Sequence, residues 1–124
     1  MTINESTFHS IEKLPLFTHV IHSKLMEAKQ HVNLLKTYTP QLLLTKRYHV
    51  HQIMEIHEEN NEFIMHMQNS SRAWSQHALT PTQRDTLKLF DKQLQHLETT
   101  IYHVLYTIEQ LGKPKKGEEQ SIAC

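Results

Sequence analysis

Leu87, Phe90, Leu94, Leu97, Ile101, Val104, Ile108 and Leu111 follow one another at alternating steps of three and four residues. On an α-helix that spacing keeps all eight side chains on one narrow stripe, the seam by which a helix packs along its length against other helices. An uninterrupted seam of this kind constrains the fold more than any other feature of the chain. It predicts an all-α protein whose functional groups are to be sought on surfaces rather than in pockets.

Composition agrees with that reading. The chain has 124 residues, the size of one domain, and only 38% are hydrophobic. Long helices with narrow apolar stripes need less apolar material than a rounded globule. There are two glycines, Gly112 and Gly117, both beyond the seam. Folds rich in tight turns require more of them. Thirteen basic residues balance thirteen acidic ones, and no basic block precedes a helix, so neither nucleic acid nor an anionic membrane is an expected partner. Cys124 is the sole cysteine, which rules out an internal disulfide and suits a reducing compartment. The apolar run from Leu14 is short and broken by His19, so no cleaved signal peptide and no membrane span are expected. The expected place of work is the cytosol, including that of a host reached through a specialised secretion system. Eleven histidines make the charge depend strongly on pH.

Helix boundaries follow from the punctuation. Thr80-Pro81-Thr82-Gln83 reads as an N-cap, a proline in the first turn and a glutamine three residues after the cap, a capping box. Thr39-Pro40 is a weaker start signal of the same kind, and Gly112 with Pro114 ends the last helix. Three long helices result, at about residues 12–38, 40–78 and 81–112, in a single domain over 1–112, with a disordered tail at 113–124. Residues 1–10 are expected to be loose, with Phe8 and Ile11 able to fold back. The stripe of the first helix is Leu14, Phe17, Ile21, Leu25, Ala28, Val32 and Leu35. Short connections make the helices antiparallel neighbours, an up-down-up elongated, coiled-coil-like bundle. The middle segment would span roughly 60 Å as one helix, longer than its neighbours. A break is expected at Asn69-Ser70-Ser71, where short polar side chains compete for backbone hydrogen bonds.

The seam of the middle helix is Leu43, Val50, Ile53, His57, Asn60, Ile64, Met67, Ser71, Trp74 and Ala78. His57 and Asn60 occupy positions where aliphatic residues belong. A buried polar layer of this kind costs stability and can fix register.

No catalytic motif stands out: there is no phosphate-binding loop, no nucleophile elbow and no base beside the cysteine. No Glu-x-x-His pairs point inward to hold a di-iron centre. His51, Glu55, Glu58, Glu59, Glu62 and His66 fall on the outer face of the middle helix and read as a solvated charged face. A surface metal site on that stripe, or at His19 and His22, is the less favoured reading, and no cofactor or metal is expected. The surplus beyond the narrow seams comprises Tyr102, Leu105 and Tyr106 beside or opposite the seam of the last helix and Leu42, Leu43 and Leu44 pointing in three directions on the middle one, with the seam residue Trp74 near the expected break. Ile56 and Phe63 flank the middle seam on one side and Met54 on the other, as expected of a helix that touches two neighbours. The surplus either covers the bundle ends, with the Tyr hydroxyls reaching water, or forms a partner-binding face of Tyr102, Leu105 and Tyr106, with Ile56, Phe63 and Trp74 next. Clustered aromatics of this sort mark binding surfaces.

A long first helix, a longer second one and a proline-capped third resemble the plan of small bacterial helical export chaperones of the flagellar type. The plan is also similar to that of small helical inhibitors of bacterial effector enzymes, among them the inhibitor of ubiquitin-deamidating effectors. The resemblance covers about residues 11–112 and rests on architecture, so it transfers no residue roles. It implies a non-enzymatic protein that inhibits, chaperones or adapts a partner protein such as an effector enzyme. Self-association into a homodimer through the spare apolar face is expected as well. The alternative is a metal- or pH-responsive histidine-rich bundle.

Overall fold

The computed structural model describes residues 10–112, and helices account for nearly all of them, with no strand among the described residues. A single 3-10 turn, Ile11–Lys13, leads into α1, Leu14–Lys36. The short α2, Pro40–Thr45, precedes α3, Arg47–Ser75, and α4 spans Pro81–Gly112. The all-α bundle expected from the heptad is the fold observed. Phe8 and the segment from Lys113 to Cys124 lie outside the described residues.

The capping box closes in both directions. The Gln83 backbone N–H donates to Thr80 Oγ1 at 3.1 Å, and the Thr80 N–H donates to Gln83 Oε1 at 3.0 Å. Two of the donors that a helix start leaves unpaired are thus satisfied by the sequence signal that marked it. Thr39 caps α2 by accepting from the Leu42 N–H at 3.0 Å.

Seven of the eight α4 seam residues are buried, and Leu111 is half-buried at the helix end. The most extensive packing joins α4 to α1, with α3 on α4 next and α1 on α3 far less. The closest pair is therefore the parallel one, whose helices are not neighbours in sequence. Fully buried Ala28 in the α1 stripe lets the two backbones approach. Where α3 faces α1, longer side chains hold the helices apart.

The core has two parts. The larger gathers Leu14, Ile21, Leu25 and Ala28 with Ile64, Met67 and Trp74 of α3 and the first half of the α4 seam; Ile11 packs against it. The smaller joins Val32 and Leu35 to Val50, Ile53, Val104 and Ile108. Buried His57 and Asn60 lie along α3 between Ile53 of one cluster and Ile64 of the other.

The break expected at Asn69-Ser70-Ser71 is not there: α3 runs through it to Ser75. Ser71 Oγ donates across the interface to an Asp91 carboxylate oxygen on α4, and Asn69 Oδ1 accepts from Arg72 at 3.3 Å. These side chains spend their hydrogen bonds away from the backbone of their own helix, so they do not compete with it. The interruption falls instead at Lys46, whose φ of −101° and ψ of 23° depart from helical values. Beside it, Thr45 Oγ1 donates back to the Gln41 carbonyl at 3.2 Å, an arrangement that bends helices. Ala78 lies beyond the end of α3 and is exposed.

Candidate functional site

Two places on the bundle depart from what packing alone requires. The first is inside. Phe17, Lys24, His31 and Tyr38 recur at intervals of seven along the first part of the chain, a row that starts within the α1 stripe at Phe17 and follows its edge. Phe17 meets Trp74 with ring centroids 6.4 Å apart. One heptad on, Lys24 Nζ donates to Asn60 Oδ1 at 2.9 Å and lies 4.9 Å from the centre of the Phe63 ring. One heptad further, His31 Nδ1 and His57 Nε2 are 2.8 Å apart. Asn60 Nδ2 closes the chain with a long contact of 3.5 Å to His57 Nδ1.

The chemistry of these groups fixes the direction of every bond. An ammonium only donates, so Asn60 turns its oxygen to Lys24 and its NH2 to His57. His57 Nδ1 then accepts, and its proton sits on Nε2. That N–H donates to His31 Nδ1, which leaves the His31 proton on Nε2. The order is Lys24 to Asn60 to His57 to His31, with both imidazoles neutral.

The electrostatics point the same way. Burial holds the His57 ring well below the ordinary histidine range, at about 4, and repulsion from His31 and Lys24 adds to the effect. His31 is also lowered, chiefly by burial; Glu27 opposes the shift and His49 reinforces it.

The second place is on the outside of α4. Tyr102 and Tyr106 stack with centroids 6.1 Å apart and planes 15° from parallel. Tyr102 is 70% exposed and Tyr106 48%. Leu105 is half-buried and packs inward on the larger core cluster. On α3, Ile56 and Phe63 are half-buried, and Phe63 is turned toward Lys24 of α1. Trp74 does not belong to a surface: it is 2% exposed and meets Phe90 edge-on at 5.5 Å. With α3 continuous past Asn69-Ser70-Ser71, Trp74 occupies its seam position in the core and is no part of a partner-binding face.

Sequence reasoning found His57 and Asn60 but missed Lys24 and His31. The seven-residue recurrence of Phe17, Lys24 and His31 was the signal available. It also missed Tyr48, which is 76% exposed near the start of α3, close in sequence to exposed Leu44. The acidic stripe of α3 is solvated as expected, with His51 Nε2 2.9 Å from the Glu55 carboxylate. Among the described residues, no group of three or more His, Cys, Asp or Glu is placed to hold a metal ion, and no helix is long and apolar enough to cross a membrane.

No protein-family model, curated protein or solved structure matches this chain.

Proposed function

We propose that this chain is a non-enzymatic regulator that binds another protein through the outer face of α4. The observation that carries this reading is the stacked, exposed Tyr102–Tyr106 pair. Its helix is anchored along the opposite side by an aliphatic seam, so the rings stand on a rigid support. Two large rings already held by one another lose little freedom on binding, which favours affinity per unit area. Their faces suit aliphatic or guanidinium groups of a partner, and their hydroxyls can remain in water at the rim. Docking there would block a site on the partner or hold one of its conformations, as an inhibitor or chaperone of an effector enzyme does.

The test compares the parent with Tyr102→Ala/Tyr106→Ala. A partner captured stoichiometrically from host lysate by the parent should be lost by the variant, with helicity and melting unchanged. Addition of the parent, and not the variant, should then alter the activity or solubility of the captured protein. Equal capture by both proteins would remove this face from the mechanism.

A further inference from the structure

We propose that the α1–α3 seam is closed by a proton-sensitive latch, the one-directional chain Lys24–Asn60–His57–His31, which acid releases while α4 stays paired with α1. The chain has no place for another proton on the groups that face inward. His57 uses both ring nitrogens, one accepting from Asn60 and one donating to His31. A proton added at His57 Nδ1 would set an N–H against the Asn60 NH2. A proton added at His31 Nδ1 would set an N–H against the His57 Nε2–H. Shifting the His57 proton to Nδ1 only moves the conflict to Asn60, because Lys24 holds the amide in one orientation. Each route breaks at least one hydrogen bond, and a cation on His57 would also stand near the Lys24 ammonium, in a layer where His57 is fully buried and Asn60 nearly so.

The groups around the latch reinforce this. From α1, Lys24 and His31 face His57 and both disfavour its protonation. His31 feels Glu27 on its own helix, which favours the charged form, and His49 on α3, which disfavours it. Along α4 the boundary between the two core clusters falls between the buried aliphatics Ile101 and Val104. The backbones of α1 and α3 approach each other far less than either approaches α4, so at the level of the polar layer the two helices meet through the side chains of the latch itself. The larger cluster, with the Phe17–Trp74 contact, and the smaller one, with Val32 and Leu35 beside Val50 and Ile53, tie the two helices on either side of the polar layer, so opening would begin at that layer.

The sign is set by proton linkage. A buried histidine that stays neutral while its unfolded counterpart charges loses stability as pH falls below about 6.5. For His57 the folding equilibrium constant should fall about tenfold per pH unit from there toward its own lower range. Two measurements on the full chain test the proposal. At pH 7.5, 15N spectra of the histidine rings should show a coupling transmitted through the hydrogen bond between His57 Nε2 and His31 Nδ1. On acidification that coupling should vanish in one step that also shifts the Asn60 side-chain amide. In parallel, the pH dependence of urea midpoints should be markedly shallower for His57→Leu than for the parent, since the surface histidines are common to both. Independent titration of both rings near the ordinary histidine range, with the Asn60 amide unmoved, would overturn the latch. So would an identical pH slope in His57→Leu. If that variant does not fold, the ring spectra of the parent decide alone.

Discussion

The seams of α3 and α4 are built on the same seven-residue frame and serve opposite ends. α4 places an aliphatic or aromatic residue at each step from Leu87 to Ile108, and all of them are buried. α3 interrupts the same pattern at its centre with His57 and Asn60, and further along with Ser71. An apolar seam has no group that titrates and is indifferent to pH. A polar seam is satisfied in one arrangement only, and that arrangement depends on protonation. The difference teaches that the bundle has a constitutive interface, α1 with α4, and a conditional one, α1 with α3. The exposed Tyr pair is carried by the constitutive side.

The contrast can be broken most forcefully from the apolar side. Phe90 is fully buried and packs on Trp74, so Phe90→Ala should cost about 3–5 kcal/mol, at neutral and acidic pH alike. Urea unfolding at two pH values reads both the size and the indifference to pH. On the polar side, the folded-state lowering of His57 to about 4 means that stability is complete above pH 6.5. It then declines by about 1.4 kcal/mol per pH unit per proton as the solution is acidified. Lys24→Met removes one of the charges that disfavour protonation of His57, so that decline should stop at a higher pH and its total should be smaller, which the same titration checks.

Smaller effects sharpen the comparison within α3 itself. Ser70 and Ser71 are both buried, but the Ser71 hydroxyl has Asp91 and the Ser70 hydroxyl has no partner. Ser71→Ala should therefore destabilise by about 1 kcal/mol, whereas Ser70→Ala should be neutral or stabilising, as thermal melts would show. Thr80→Ala, which opens the capping box, should cost about 1 kcal/mol by the same measurement. Smallest of all, Tyr102→Ala/Tyr106→Ala should change stability by only about 0.5 kcal/mol or less, since an exposed pair one turn apart contributes little to folding. Its effect belongs to partner binding.

Much of this was legible in the chain. The α4 seam, its capping box and the buried positions of His57 and Asn60 follow from local spacing, because helix periodicity and cap chemistry are local properties. The partners of the polar layer were not legible in the same way. Lys24 and His31 sit beside the α1 seam, and whether such flanking residues reach a neighbour depends on how two helices are juxtaposed. The expected break failed for a related reason. Ser71 is a helix disruptor only while its hydroxyl lacks a better partner, and Asp91 lies 20 residues away in sequence. The outward placing of Tyr102 and Tyr106 was readable from the seam, but their mutual stacking was not.

Residue-resolved hydrogen exchange at pH 7 and pH 5, corrected for the intrinsic rate at each pH, tests the division into two interfaces most directly. The expected result is that opening free energies around His57–Asn60 fall at pH 5 while those around Ile101–Val104 keep a higher value. If the two regions lose protection together, or neither changes, the bundle has one uniform core and the distinction between its seams is wrong.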